Sequence, residues 1–368
     1  MSIRSIAVAA ALLLGTLCHA APAAAQTGQA AARPAADAKE SSGDGAARAR
    51  YAGRSLVGKP GPNAVLTTLD GEKIDLVKLY GKKPVYLKFW ATWCVPCREQ
   101  MPAFEQIFQQ YGERMTVVAV NTGFSDDDKA VRAFRKQYGI HMPVVIDDGS
   151  LAAQLNLKVT PQHVLIGRDG RIAHVGHLHD KALTEAIDKA LVDKGEPVAF
   201  TAGDAAPNER VFKVGDTVQG LTVTPLGGKP VTLGAASASA SAGKPGKPRA
   251  LVFFASWCES YLRESRPDTA QACRRVREQQ NKLAASKDVE WLGIAGGLWS
   301  SEPELADYRK TSKTSLPLAL DKDGAVFRAF GIRQIPSVVL LDAQGKVTRV
   351  LGPDERDLAG AIRGLKAD

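Results

Sequence analysis

The sequence is poor in cysteine and in long apolar segments. Five cysteines among 368 residues are too few for a fold that depends on many disulfides. The chain has only one close cysteine pair, which excludes the zinc sites that are built from two such pairs. After the apolar run at residues 6–17, no stretch stays apolar for the roughly 20 residues that a transmembrane helix needs.

Charge of one sign is not concentrated in any part of the chain. The formal net charge is +9, but lysine and arginine alternate with aspartate and glutamate along most of the sequence. A basic stripe interleaved with aromatic residues would favour nucleic-acid binding, and the sequence has none. We interpret the charges as a solvated mixed surface and predict no nucleic-acid partner.

The N-terminus has the parts of a secretory signal peptide. Arg4 supplies a positive start, residues 6–17 are apolar, and the three alanines at 23–25 offer a cleavage site. We expect residues 1–25 to be removed together with Cys18, leaving a periplasmic protein that does not span the membrane. Four cysteines then remain, namely Cys94, Cys97, Cys258 and Cys273.

The rest of the chain contains two copies of one plan. Residues 26–50 are rich in alanine, glycine and small polar residues, so we expect a flexible leader. Three segments of the first copy recur in the second, with 69–76 matching 226–233, 89–94 matching 253–258 and 159–166 matching 334–341. The predicted organisation is a domain at 51–195, a linker at 196–207 and a second domain at 208–368. Within the second domain, the low-complexity run at 235–248 predicts a disordered loop.

Short apolar strands alternate with segments of helical period in both copies. In the first copy, strands are predicted at 85–87, 117–120, 144–146 and 163–166, and helices at 98–111, 127–138 and 181–192. Strands at 290–294 and 338–341 continue the same order in the second copy. This alternation predicts an α/β fold in which each domain is a central mixed sheet flanked by helices.

Cys94 and Cys97 stand where a predicted buried strand gives way to a helix. Two intervening residues let both sulfurs approach bonding distance within one helical turn. Unpaired N–H groups and the helix dipole favour an anion at the helix start, so Cys94 gains thiolate character. Cys97 can then resolve the mixed disulfide that Cys94 forms with a partner. The pattern predicts a redox-active dithiol.

A structural disulfide and a metal site are the alternatives for this pair. Zinc would need two further ligands. His174, His177 and His179 cluster in the sequence, but they follow a distant strand and turn and have no partner cysteine. We therefore predict neither a metal site nor a cofactor.

Residues 90–97, with Thr160 and Pro161 downstream, resemble the thioredoxin superfamily, specifically its exported TlpA/ResA-like branch. The resemblance covers residues 51–193 well and the second copy more weakly, which implies two tandem thioredoxin-like domains. It implies a cis bond before Pro161, and substrate contacts at Trp93, Thr160 and Pro161. It also implies that exported proteins with disulfides are the substrates and that a membrane-bound reductase supplies the electrons.

Lys88 departs from the family pattern. Thioredoxins carry a buried acid at this strand position, where it assists the second cysteine as a base. A lysine could instead stabilise thiolates, or it could snorkel to the surface along its apolar stem. Glu99 is the nearest acid in sequence, and we expect it to be a solvated helix residue. The group that accepts the Cys97 proton is left open.

The second domain lacks the close cysteine pair. Leu262 aligns with Cys97, and the domain has no histidine, which excludes a Cys–His nucleophile pair confined to it. Cys273 follows Cys258 by fifteen residues, about 22 Å along a straight helix, so we interpret it as a buried helix residue. Cys258, with Ile335 and Pro336 facing it, is then either a monothiol site or the relic of one in a docking domain.

Three functions are compatible with these patterns. The first is reduction of disulfides in exported proteins by dithiol exchange at Cys94 and Cys97. The second is a peroxiredoxin-like antioxidant, although the chain lacks the Pro-x-x-x-Thr-x-x-Cys arrangement that binds a peroxide. The third is a metal- or partner-binding module with a non-catalytic second domain.

Overall fold

The computed structural model describes residues 35–193, 195–199, 210–234 and 246–367. The predicted signal peptide (1–25) lies outside these residues. So do most of the predicted linker (196–207) and most of the predicted loop at 235–248.

The first domain is a five-stranded mixed sheet with helices on both faces. Its strands are β1 (Val65–Thr67), β2 (Lys73–Asp75), β3 (Val85–Trp90), β4 (Thr116–Asn121), β5 (Val144–Ile146), β6 (Gln162–Ile166) and β7 (Ile172–Gly176). Its helices are α1 (Ala35–Arg54), α2 (Leu76–Leu79), α3 (Val95–Tyr111), α4 (Asp128–Gln137), α5 (Ser150–Gln154) and α6 (Lys181–Val192). The sheet order is β5-β4-β3-β6-β7, and β1 and β2 form a separate hairpin.

Strand β3 is the centre of this sheet, which explains why its sequence is apolar throughout. It pairs in parallel with β4 and antiparallel with β6, and all six of its residues are buried. Strands buried on both faces are expected to be continuous apolar runs rather than alternating ones. The helices predicted at 98–111, 127–138 and 181–192 are confirmed as α3, α4 and α6 with ends shifted by a few residues at most.

Helix α1 corrects the prediction of a flexible leader at 26–50. Residues 35–50 lie in α1, which packs against β7, while residues 26–34 fall outside the described chain. Ala49 and Ala52 are fully buried, and a Cβ atom added at Gly53 would lie 3.0 Å from the Val175 Cβ atom. Small residues thus let the helix approach the strand closely, although a composition of small residues has no hydrophobic period to reveal it.

The second domain repeats the same architecture. Its strands are β8 (Thr222–Val223), β9 (Val231–Thr232), β10 (Arg249–Phe254), β11 (Glu290–Gly296), β12 (Leu318–Asp321), β13 (Ser337–Leu341) and β14 (Val347–Leu351). Its helices are α7 (Cys258–Ser265), α8 (Pro267–Leu283), α9 (Glu302–Thr311), α10 (Ala325–Ala329) and α11 (Leu358–Ala367). The sheet order β12-β11-β10-β13-β14 is that of the first domain with each strand replaced by its counterpart.

The fold class predicted from the sequence is therefore confirmed as two tandem thioredoxin-like domains. One difference between the two domains determines where their cysteines lie. The single helix α3 that follows β3 is replaced in the second domain by two helices, α7 and α8, which pack against each other. Over the described ranges, no helix is both long enough and apolar enough to cross a bilayer.

Candidate active site

Cys94 and Cys97 lie at the start of α3 and are joined by a disulfide. Cys94 is the N-cap residue, and its sulfur lies 3.2 Å from the Cys97 backbone N–H, which points at it. Pro96 occupies the first turn of the helix, where a missing N–H group costs nothing. This geometry provides a hydrogen-bond donor and a helix N-terminus for a Cys94 thiolate once the disulfide is reduced.

The loop before β6 faces the disulfide. The Thr160–Pro161 peptide bond is cis, as the resemblance implies. The Thr160 carbonyl oxygen lies 3.4 Å from the Cys94 sulfur, so the loop and the helix start form one surface. The structure thus places Trp93, Thr160 and Pro161 around the cysteine pair, with Trp93 as the residue immediately before Cys94.

A buried polar chain beneath this surface was not foreseen from the sequence. The Tyr86 hydroxyl lies 2.6 Å from His163 Nδ1, and His163 Nε2 lies 2.9 Å from Gln100 Oε1. The Gln100 amide donates to the His177 carbonyl, and His177 Nδ1 donates to the Pro161 carbonyl at 2.7 Å. This series of hydrogen bonds therefore connects β3, through α3, to the cis-proline loop. Its sequence signal is weak, because the four side chains come from four separate elements.

The partners of His163 show which ring nitrogen carries the proton in the neutral imidazole. Gln100 Oε1 can only accept, so His163 Nε2 donates, and Nδ1 of the neutral ring accepts from the Tyr86 hydroxyl. Burial holds the pKa of His163 well below its usual range, and the charge of the neighbouring Lys88 lowers it further. His163 is therefore a structural hydrogen-bonding group at neutral pH rather than a charged one.

Lys88 is fully buried, so the snorkelling interpretation is wrong. It lies directly opposite His163 in the sheet, and its Nζ atom is 5.1 Å from the centre of the Phe104 ring on α3. Among the described residues, the amine has no hydrogen-bond partner. Burial lowers the pKa of Lys88 to about 7, so the amine can take up or release a proton near neutral pH. Glu99 is exposed, as expected.

The histidines that cluster in the sequence at 174–179 do not share one site in the structure. His177 donates a hydrogen bond to the cis-proline loop, and its ring packs edge-on against Trp299 with the ring centroids 5.8 Å apart. His174 is part-buried, and burial lowers its pKa. In the part of the chain that the structure describes, no group of three or more histidine, cysteine or acidic side chains is arranged to hold a metal ion.

Cys258 and Cys273 form a second disulfide, so the prediction of a lone thiol is wrong. The distance estimate assumed one continuous helix, but α7 ends at Ser265 and α8 begins at Pro267. Arg266 has a non-helical backbone (φ −146°, ψ 67°), and Pro267 opens the new helix in another direction. The second helix folds back on the first and brings the two Cα atoms to 6.4 Å.

The surroundings of Cys258 repeat those of Cys94. Cys258 is the first residue of α7, and its backbone N–H donates to the Ala255 carbonyl, as that of Cys94 does to Ala91. The Ile335–Pro336 bond is cis, which makes it the counterpart of the first cis-proline loop. Cys258 and Ile335 are both buried.

The two domains meet face to face through these equivalent surfaces. The rings of Trp93 and Trp257, each just before the first cysteine of its domain, have centroids 5.1 Å apart. Each indole N–H donates at 2.8 Å within its own domain, Trp93 to the Phe124 carbonyl and Trp257 to the Leu298 carbonyl. One buried apolar cluster continues from one domain into the other.

Reciprocal backbone hydrogen bonds show that the interface has a local two-fold character. The Ser125 N–H donates to the Arg333 carbonyl at 2.7 Å, and the Trp299 N–H donates to the Lys158 carbonyl at 3.0 Å. Ser125 and Trp299 have the same left-handed φ of 55°. Both acceptors lie three residues before a cis-proline. Each domain thus uses the same loop to bind the same part of the other.

This packing covers the Cys94 surface. The Tyr261 hydroxyl accepts from the Val95 N–H at 3.1 Å, and the Trp299 indole donates to the Thr160 hydroxyl at 3.2 Å. As a result, Cys94 has no exposed surface. A protein substrate can reach Cys94 only after the second domain moves away from this face.

Comparison with known proteins identifies both domains. The Redoxin family model matches residues 56–191, and a Thioredoxin-like family model matches residues 246–347. The thioredoxin-like protein YneN of Bacillus subtilis is 40% identical over 134 residues, which are 36% of this chain and 78% of YneN. The thiol-disulfide oxidoreductase ResA of Halalkalibacterium halodurans is 34% identical over 153 residues, which are 40% of this chain and 84% of that protein.

Solved structures match a similar share of the chain. A thiol:disulfide interchange protein of the thioredoxin family from Chlorobium tepidum TLS is 25% identical, with a TM-score of 0.32, over 36% of this chain and 96% of that one. A secreted disulfide oxidoreductase of Mycobacterium tuberculosis, homologous to DsbE of E. coli, is 26% identical, with a TM-score of 0.31, over 34% of this chain and 95% of that one.

Proposed function

The chain belongs to the ResA-like thiol-disulfide oxidoreductases of the thioredoxin superfamily, and from this premise we propose that Cys94 and Cys97 reduce disulfides in exported proteins. The observation that carries the proposal is the position of Cys94. It caps α3 and lies 3.4 Å from the carbonyl oxygen of the cis-proline loop. A substrate disulfide bound along that loop would lie next to the attacking sulfur.

The exchange consists of two displacements at sulfur. The reduced Cys94, as a thiolate, attacks one sulfur of the substrate disulfide, and the other substrate sulfur leaves and takes up a proton. The Cys97 thiolate then attacks Cys94, which re-forms the Cys94–Cys97 disulfide and releases the second substrate thiol. The Cys97 N–H, 3.2 Å from the Cys94 sulfur, stabilises the Cys94 thiolate.

Trp93, Thr160 and Pro161 are proposed to contact the substrate. The Thr160 carbonyl lies 3.4 Å from the Cys94 sulfur, Trp93 directly precedes Cys94, and the Pro161 carbonyl accepts a hydrogen bond from His177. The same face binds the second domain in this structure, which indicates that it is adapted to receive another polypeptide.

The proposal also covers the location of the protein and the source of its electrons. The predicted signal peptide at 1–25 supports a periplasmic location, where protein disulfides form and persist. A reductase in that compartment needs electrons from elsewhere, and a membrane-bound reductase is the proposed donor. The proposed boundaries are a first domain at 51–195, which includes the end of the packed helix α1, and a second domain at 208–368.

Reduction of insulin by the full chain, with dithiothreitol as electron source, tests the activity. We expect Cys94→Ser to abolish turnover and Cys97→Ser to accumulate a covalent adduct with insulin, since the resolving thiol is gone. Retained turnover in Cys94→Ser would contradict the proposal. Thiol-dependent peroxide consumption without insulin reduction would favour the peroxidase alternative instead.

The direction of transfer is tested by the reduction potential of the Cys94–Cys97 pair. Equilibration in defined thiol buffers, followed by alkylation and mass spectrometry, gives its value. A potential near that of thioredoxin, about −270 mV, supports a reductase. A value of about −120 mV would make the protein an oxidant and overturn the proposed direction.

A further inference from the structure

The disulfide of the second domain lies at the position of a thioredoxin-like active site. Cys258 follows the central strand of its sheet and begins a helix, and its domain has a cis-proline loop before β13 as the first domain has before β6. Its partner Cys273 comes from the helix that folds back on α7 rather than from the next turn. The Cys258–Cys273 disulfide therefore has one sulfur that a thiolate can attack and a second sulfur that can leave, as the Cys94–Cys97 disulfide has.

The starts of α3 and α7 face each other across the interface. Both residues next to Cys94 contact α7 or the residue before it. Trp93 packs on Trp257, which directly precedes Cys258, and the Val95 N–H donates to the hydroxyl of Tyr261, one turn after Cys258. The two first cysteines thus lie beside the same interdomain contact, each next to a residue that packs across it.

Both first cysteines are hidden from solvent by this arrangement. Cys94 and Cys258 each have 0% of their surface exposed, and both belong to the apolar cluster that crosses the interface. In this closed state an external thiol or protein cannot reach either sulfur. Within the described residues, the disulfide of the opposing domain is the only other disulfide with which either pair can exchange.

We propose that the second domain carries a second redox-active pair, and that the Cys94–Cys97 dithiol exchanges two electrons with the Cys258–Cys273 disulfide within one chain. The proposal rests on the dithiol activity assigned to Cys94 and Cys97 above. The substrate class is a disulfide between cysteines on two adjacent helices of a thioredoxin-like domain. The second domain is then an intramolecular redox partner of the first rather than a relic.

The exchange balances without any external reagent. The Cys94 thiolate attacks the Cys258 sulfur, the Cys94–Cys258 bond forms, and Cys273 leaves and takes up the proton lost by Cys94. The Cys97 thiolate then attacks Cys94, forming the Cys94–Cys97 disulfide, and Cys258 leaves with the proton lost by Cys97. The first pair is oxidised by two electrons and the second is reduced by two.

Trapping the intermediate in the full chain tests the proposal. In Cys97→Ser the second displacement cannot occur, so we expect a Cys94–Cys258 disulfide and an alkylatable Cys273, identified by peptide mapping. The linked peptide should come from monomer, and its yield should not fall on dilution. Cys97→Ser/Cys258→Ser is the matched control and should give no such link. Absence of the link, or its formation only between chains, would overturn the proposal.

A rate measurement provides a second test that needs no trapped species. We expect dithiothreitol at about 0.1 mM to open Cys258–Cys273 roughly tenfold more slowly in Cys94→Ser than in the wild type, since an intramolecular thiol acts at an effective concentration of order mM. Equal rates would overturn the proposal. If the wild type reduces insulin while Cys258–Cys273 stays oxidised, only this inference fails. If Cys94→Ser still turns over insulin, the proposed function fails instead.

Discussion

The guanidinium of Arg266, in the second domain, lies 2.8 Å from the carboxylate of Asp126, in the first. The Asp126 side chain is fully buried, whereas that of Arg266 is 32% exposed. The carboxylate also accepts from the Thr92 N–H at 2.7 Å and from the Asn121 amide at 2.8 Å. A buried charge next to the dithiol is thus balanced by a cation from the opposing domain. The same residue that breaks the helix between the two second-domain cysteines therefore also holds the domains together.

Arg266→Ala should loosen the interface. Removing the cation leaves the Asp126 carboxylate with three uncharged donors, namely the N–H and hydroxyl of Thr92 and the Asn121 amide, at a cost of about 1–3 kcal/mol in the docked state. We expect iodoacetamide to label reduced Cys94 faster, by about tenfold for each 1.4 kcal/mol of docking free energy lost. Arg263→Ala, which changes an exposed residue of α7, is the matched control. An unchanged labelling rate in Arg266→Ala would show that the ion pair does not hold the closed state.

Gln100→Leu should disturb the cis-proline loop without touching either cysteine. It removes the acceptor for the His163 Nε2–H and the donor to the His177 carbonyl. We expect a loss of about 1–3 kcal/mol in the free energy of unfolding, because partly buried polar groups are left unpaired. The KM for insulin should also rise, since His177 positions Pro161. Gln110→Leu, at an exposed position of α3, is the control.

NMR separates this specific effect from general destabilisation. The His163 Nε2–H signal should be protected from exchange in the wild type and in Gln110→Leu, and lost in Gln100→Leu. A protected signal in all three proteins would contradict the assigned hydrogen bond.

The fold and the dithiol could be predicted because their signals are local in the sequence. The spacing of Cys94 and Cys97, and the Thr160–Pro161 pair, each specify a geometry within a few residues. Alternating apolar strands and helical periods predict a mixed sheet flanked by helices, and the repeat predicts it twice. These features needed no knowledge of which distant residues meet.

The second disulfide and the interface could not be predicted for the opposite reason. The pairing of Cys258 with Cys273 depends on one non-helical residue, Arg266, whose position before Pro267 disfavours helical backbone but does not show how far the chain turns there. A proline at 267 was compatible with a kink or with a new helix start, and only the packing of α8 on α7 decides between them. Contacts such as that between Trp93 and Trp257 join residues 164 positions apart. Such a contact produces no periodic pattern in the sequence from which it could be predicted.

Cys273→Ser should destabilise the second domain under oxidising conditions. The Cys258–Cys273 bridge closes a loop of 15 residues, for which chain entropy predicts about 3 kcal/mol of stabilisation. Urea unfolding of the oxidised wild type and variant should show this difference. With both proteins reduced by dithiothreitol, the difference should largely disappear. A gap that persists in the reduced proteins would mean that packing around Cys273, rather than the bridge, stabilises α7 and α8.

Lys88→Met should change the pH dependence of stability, and the direction of the change follows from the pKa of Lys88. The pKa of Lys88 is about 7 in the folded protein and near 10.4 in an unfolded chain. Between these values the unfolded state binds more protons, so the contribution of Lys88 to stability rises with pH by up to about 1.4 kcal/mol per pH unit. At and below neutral pH, the full cost of burying the charged amine opposes folding.

Methionine keeps most of the volume of Lys88 and removes the charge. We therefore expect Lys88→Met to be more stable than the wild type at neutral pH, and the gap to narrow as the pH rises toward about 10. Urea unfolding of both proteins across this range measures the gap, and Lys83→Met, at an exposed position before β3, controls for the loss of a surface charge. Parallel pH profiles for Lys88→Met and the wild type would show that the amine keeps an ordinary pKa. The buried position beneath α3 would then have to be hydrated.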